Sequence, residues 1–398
     1  MLGHGIKMHP QKSHEIDSDN ALVVGKPVSI DTEGFLQDVE EICAGGIFTN
    51  NGPFSTKLER RIQDYLGVKY AVNVSNATKG LELVLRALRL PKSGTVLIPS
   101  YTFIATAHAV IEAGLQPVFC DVDLETHLLT PDLIEDKFDE NTVAIIAVNL
   151  WGLTCSDSLV DFSRQKRVPI IFDSAHAFGA KDDEGKLIGG SGIAHVFSMH
   201  ATKLFNSFEG GCITTNDVEL AKRLKSMRNF GISDQEEVTS WGTNAKMSEI
   251  HAAFALRQLD SIDQTKLIFR EHALTYKKEL HKHNITGVKL WNENFMNSGS
   301  THSYICVRVQ KDAPVTRDQL LHFLKEKRIH AKRYFFPGVH KTPFYAAEYG
   351  TVSLPNTEIL NSEILALPTG RSVHARDIER VVSTIADACH VTGSADAT

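Results

Sequence analysis

The sequence has no apolar run near the ~20 residues that a membrane helix needs, so no membrane span is expected. Its six cysteines, at 43, 120, 155, 212, 306 and 389, include no Cys-x-x-Cys pair. That argues against a zinc site or a disulfide framework and fits free thiols in a reducing cytoplasm. Positive charge is not in excess: 42 Lys and Arg against 48 Asp and Glu leave a net charge of -6. A general nucleic-acid binder is therefore disfavoured. The opening residues have no apolar h-region, so no signal peptide is expected. Internal repeats and low-complexity linkers are also missing.

What is present is a long chain, 398 residues with 42% apolar content. That length predicts one large domain plus a smaller one. From Tyr70 onward, short apolar runs alternate with amphipathic stretches. Strands are expected at Tyr70-Ala-Val-Asn-Val74, Val96-Leu-Ile-Pro99, Pro117-Val-Phe-Cys-Asp121, Val143-Ala-Ile-Ile-Ala-Val148, Val168-Pro-Ile-Ile-Phe172, Ala194-His-Val-Phe-Ser198 and Cys212-Ile-Thr-Thr215. Helical spacing lies between most of them. Continuous apolar strands separated by helices predict an α/β fold with a mostly parallel sheet buried on both faces. Ligands then sit at the carboxyl ends of the strands. After about residue 265 the pattern becomes α+β, and Tyr304 to Val309 alternates like a half-exposed strand. The expected division is an arm over 1–27, a large domain over 28–265, a small domain over 266–390 and a disordered tail over 391–398.

Three features of the large domain carry chemistry. Ser75-Asn76-Ala77-Thr78 follows a strand and opens a helix, a geometry that binds phosphate through free backbone N–H groups. Asp173 ends an interior strand, where a carboxylate is costly to bury without a cationic partner. Lys203 lies in a connection of small and polar residues between two β-runs. Partial desolvation there would lower its pKa and make the amine a nucleophile or Schiff-base former. Alone, each has a plainer reading: a capped helix, an N-cap aspartate, a surface lysine. In chain order, with Phe103 in a strand-to-helix turn between them, they match pyridoxal-phosphate (PLP) enzymes of the aspartate-aminotransferase fold.

The resemblance becomes specific at Phe197-Ser-x-His-x-x-Lys203 followed by Glu209-Gly-Gly. This closely resembles the lysine motif of the nucleotide-sugar aminotransferases, the DegT/StrS group. Phe48-Thr-Asn-x-Gly-Pro, Pro99-Ser-Tyr-Thr-Phe103-Ile-Ala-Thr, Asp173-Ser-Ala-His176-Ala-x-Gly, Gly242-Thr-Asn244-Ala-Lys-Met-Ser-Glu249, Arg333-Tyr-Phe-Phe-Pro337 and Leu365-Ala-Leu-Pro368 are similar to further motifs of that family. The resemblance covers roughly residues 28–388 and implies fold type I with PLP as cofactor. It makes Lys203 the Schiff-base lysine, Asp173 the partner of the pyridinium nitrogen and Phe103 the ring-stacking residue. His176 would lie near the cofactor's phenolic oxygen. Ala77, Thr78 and Ser198 would bind its phosphate, and Asn244 would reach the cofactor of the neighbouring subunit in a homodimer. One departure is Lys79, where the family's turn usually has an acidic residue; it would add charge near the phosphate or point to solvent.

Within the family, His-x-x-Lys with Glu-Gly-Gly is the pattern of enzymes acting on 4-keto sugars. The variant here most resembles those that aminate dTDP-4-keto-6-deoxyglucose, with glutamate as amino donor. A 3-keto sugar aminotransferase, another PLP reaction on the same fold and a non-catalytic PLP-binding regulator remain as alternatives. Lys246, Lys332 and Arg333 are candidate cations for the sugar nucleotide.

Overall fold

The computed structural model describes residues 21–27, 31–233 and 235–393, the side chains of 391–393 excepted. The rest of the expected arm and the end of the expected tail lie outside the described residues. A short strand, β1 (Leu22–Val23), comes first. The expected apolar runs follow as β2 (Tyr70–Val74), β3 (Thr95–Pro99), β4 (Gln116–Cys120), β5 (Thr142–Val148), β6 (Ile170–Asp173), β7 (Ala194–Ser198) and β8 (Gly211–Thr215). They form one seven-stranded sheet in the order β2-β8-β7-β6-β5-β3-β4. Neighbours from β4 to β7 run parallel, whereas β8 is antiparallel to both β7 and β2. The connection from β7 to β8, residues 199–210, contains no helix. It cannot return the chain for a parallel pairing, so β8 must reverse.

Both faces of the sheet are covered, which is why its strands read as continuous apolar runs. Helices Ala77–Ala87, Ile104–Glu112 and Val218–Met227 pack on one face through Leu81, Val84, Val110 and Leu224. Pro53–Leu66, Asp157–Lys166 and Glu249–Asp260 cover the other through Leu58, Ile62, Leu159 and Leu256. The parallel strands therefore deliver Pro99, Val148, Asp173 and Ser198 to one end of the sheet.

The C-terminal unit holds β9 (Val288–Leu290), β10 (Ile305–Val309), β11 (Ile329–His330) and β12 (Ile364–Leu367), with long helices Ile262–His283 and Ala375–Gly393. The boundary expected after residue 265 falls inside the first of these helices. β10 is the central strand, antiparallel to β9 and β12. It is buried rather than half-exposed. Ile305 and Val307 face the helices with Ile378 and Val381, and Cys306 faces the large unit alongside Trp151. The end of the arm is not loose either: Leu22 and Val23 pair in parallel with Ile329 and His330 of β11. Among the described residues no helix is long and apolar enough to cross a membrane.

One buried ion pair ties the edge of the sheet to its helices. Arg228 donates to Glu59 at 2.5 Å and to the Asn73 carbonyl at 2.7 Å, and the Asn73 amide donates to Glu59 at 3.0 Å. Both charged side chains are nearly inaccessible. Glu59→Ala leaves Arg228 buried and uncompensated, so a stability loss of about 3–5 kcal/mol is expected. A urea melt that moves by less than about 1 kcal/mol would assign the pair no structural role.

Candidate active site

Asp173 ends β6 and is buried. Thr106 donates to one of its oxygens at 2.8 Å and the Ala175 amide to the other at 3.1 Å. Burial raises its pKa from the ordinary carboxylate value, against the lowering by these bonds and by the more distant Lys203. Among the described residues no cation lies within ion-pair distance of it. A carboxylate so placed needs a cation, and a protonated ring nitrogen is one. No helix starts at Asp173, so it is not an N-cap.

Lys203 lies on the β7–β8 connection. The residue is half-buried, and its amine reaches inward to donate to the Tyr304 hydroxyl at 3.0 Å. Desolvation pushes its pKa down to about 8, partly opposed by Asp173. The lowering leaves an appreciable neutral fraction near physiological pH, which a nucleophilic amine requires. His176 stacks on Tyr304 with ring centres 4.2 Å apart, and Trp151 and Phe335 flank it. Burial, then Lys203, pushes the imidazole pKa well below its usual value, so His176 is neutral. Its Nδ1 is buried and has no hydrogen-bond partner among the described residues.

Three segments meet at the expected phosphate cup. Asn76 caps the helix Ala77–Ala87 by accepting from the Lys79 amide. The Ala77 and Thr78 amides have no partner among the described residues, as the first turn of a helix dictates. Ser198, at the end of β7, pairs with Gly211. A Cβ on Gly211 would lie 2.8 Å from the Ala77 nitrogen, so only glycine lets β8 pass this close to the cup. That explains the second glycine after Glu209. Phe103 precedes its helix and is 58% exposed, free to cover a ligand face. The Lys79 side chain is 38% exposed and pairs with Glu82 at 2.6 Å.

Asn244 is not brought to this site within its own chain. The residue is exposed, although the neighbouring Ala245 carbonyl accepts from the Ser75 amide at 2.8 Å. Lys246 donates to Asn229, Arg333 faces Asp318 at 3.5 Å, and Lys332 is exposed. Sequence reasoning missed Tyr304, Thr106 and Trp151 as site residues. Thr106 falls within a family motif and Tyr304 within an expected strand, but nothing in the sequence says which residue Thr106 bonds or which amine Tyr304 meets. Glu249 has a role of its own: it accepts from the Phe54 and Ser55 amides, capping a helix whose Gly52 has no side chain to do so.

A strand-end aspartate, an inward lysine of lowered pKa, open helix amides and an exposed aromatic define a cofactor-dependent enzyme site on an α/β scaffold. Pyridoxal phosphate is the cofactor these residues fit. Residues 29–386 match the DegT/DnrJ/EryC1/StrS aminotransferase family, and the chain belongs to it. It is 35% identical over 372 residues, 92% of this chain and 99% of the other, to a dTDP-4-amino-4,6-dideoxy-D-glucose transaminase of Shigella dysenteriae. An Escherichia coli protein of the same name is 32% identical over 88% of this chain and 94% of its own. The structure of DesI with its TDP-sugar product superposes with a TM-score of 0.88 at 34% identity, covering 95% of each chain.

Proposed function

We propose that this aminotransferase moves an amino group from glutamate to carbon 4 of dTDP-4-keto-6-deoxyglucose, giving dTDP-4-amino-4,6-dideoxyglucose, in the cytoplasm. The observation that carries the reaction type is Asp173, buried with no cation within ion-pair distance among the described residues, at the same end of the sheet as the inward Lys203. The sugar assignment is supported by His200-Ala-Thr-Lys203 with Glu209-Gly-Gly and by what the similar proteins of Shigella and Escherichia are named. Bound pyridoxal phosphate supplies the electron sink that lets a C–H bond beside nitrogen ionise. The protein supplies the rest. The Ala77 and Thr78 amides and Ser198 Oγ bind the phosphate. An Asp173 oxygen holds the proton on the ring nitrogen, and Phe103 covers one ring face and excludes water. Lys203 Nζ would take the proton from one of the two carbons, the substrate's or the cofactor's, and deliver it to the other, as base and then acid. The test is a side-by-side assay with the dTDP-linked 4-keto and 3-keto 6-deoxyhexoses. Turnover of the 4-keto isomer is expected; exclusive turnover of the 3-keto isomer removes the sugar assignment and leaves the aminotransferase. Loss of all turnover with either sugar would favour the regulator.

The active unit in this reading is a homodimer with two shared sites. Ile47, Phe48, Phe208 and Ile250 are large exposed apolar side chains. Contacts of Glu249 with Phe48 and of Phe208 with His251 bring them to one region. An apolar patch of this kind marks an interface, and it adjoins the segment carrying Asn244. Mixing inactive Lys203→Ala with inactive Asn244→Ala subunits should restore activity, because one site of each mixed dimer then carries neither lesion. Verified mixed dimers without recovery would place Asn244 outside the partner's site.

A further inference from the structure

The Lys203 amine has a single hydrogen-bond partner among the described residues, the Tyr304 phenol. The nitrogen lies 5.6 Å from the ring centre, at the oxygen rather than over the face. Tyr304 is itself held from two sides. Its ring stacks on His176 at 4.2 Å and meets Trp151 at 5.3 Å in a tilted contact. Its carbonyl accepts from the buried Asn292 side-chain amide at 2.7 Å, whose oxygen accepts from the Cys306 amide at 2.8 Å. The phenol thus has a fixed position and no other hydrogen-bond partner among the described residues. Lys203 belongs to the large unit and Tyr304 to the C-terminal unit.

We propose that Tyr304 is a positioning residue for the lysine: its phenol holds the Lys203 amine whenever that amine is released from the cofactor, in either protonation state. An ammonium can only donate, whereas a neutral amine can also accept; a phenol serves both, because it accepts from the first and donates to the second. Burial pushes the phenol pKa above its ordinary value, so it stays protonated at neutral pH. The other ionisable groups facing the amine are His176, which is neutral, and Asp173, which does not touch it. Apart from the phenol, the amine would hang unsatisfied among aromatic rings, and an amine adrift there cannot return a proton to one chosen carbon. The inference rests on the aminotransferase reading of the site but not on the identity of the sugar.

Tyr304→Phe removes one oxygen from a stacked ring. The first measurement uses full-length protein freed of cofactor and follows the rate at which Lys203 captures added pyridoxal phosphate, trapped by borohydride, across pH. An ammonium deprived of its acceptor gives up its proton more readily, so the midpoint should fall by about half a pH unit or more. The second uses loaded enzyme and α-deuterated glutamate. The expected result is a kcat lower by about tenfold, KM within about twofold, and a larger deuterium isotope effect as proton transfer slows. A variant with the wild-type capture midpoint and wild-type kcat overturns the proposal. So does a raised KM at unchanged kcat, which would make Tyr304 a substrate contact. Failure of the wild-type protein to capture pyridoxal phosphate at all would instead remove the cofactor reading on which the proposal rests.

Discussion

Lys203→Ala is expected to abolish turnover and to remove the visible absorbance band that a lysine-linked cofactor gives near neutral pH. The amine is held inward, its pKa brought to about 8 by desolvation, so at neutral pH it can attach a carbonyl and also move a proton. Loss of the acid–base function alone costs roughly 100- to 10,000-fold, and loss of the covalent anchor adds to that. The fold should survive, because among the described residues the amine's one hydrogen bond is to Tyr304 and no packed core depends on it. Spectra and steady-state rates decide the matter. A variant that keeps both the band and turnover would put the reactive lysine elsewhere.

Asp173→Asn should keep the fold and lose most of the rate. An amide can still accept from Ala175 and can exchange roles with the Thr106 hydroxyl, so the bonds that hold the side chain persist. It removes a charge whose burial is unfavourable in the free chain, as the raised pKa indicates. The cofactor-free variant should therefore melt no lower than wild type. What disappears is the negative charge that keeps a ring nitrogen protonated. Removing one well-placed electrostatic group raises a barrier by about 2–4 kcal/mol, roughly a 30- to 1000-fold loss in kcat. Near wild-type kcat in this variant would leave Asp173 a structural residue only.

Much of this arrangement is legible in the amino-acid sequence. The seven strands of the large sheet stand out as continuous apolar runs because both faces are covered. The lysine motif is legible because its spacing is local: residues from Phe197 to Gly211 span one connection and the strand ends it joins, and must be close. Other features are illegible for a physical reason, namely that they are made by contacts between distant parts of the chain. β10 alternates like a surface strand, yet helix Ala375–Gly393 and the large unit bury both its faces. The partner of Asp173 is Thr106, on a helix two strands away in the chain, and the partner of Lys203 is Tyr304 in the other unit. Glu249 looks like one more acidic residue at the start of a helix, but it caps a different helix at Phe54.

The pairing of β1 with β11 bears on how the chain is made. Leu22 and Val23 leave the ribosome early, while the strand edge they complete is translated near the end. All strands of the large sheet precede residue 216, so that sheet can assemble while the N-terminal segment still waits for its partner. Non-local pairings of this kind are slow to form. Until β11 emerges, the apolar Leu22-Val-Val24 stretch has no edge to join and is open to holding chaperones or to another nascent chain. For the same reason a tag fused directly ahead of residue 22 would sit at the seam where the N-terminal segment is stitched to the C-terminal unit.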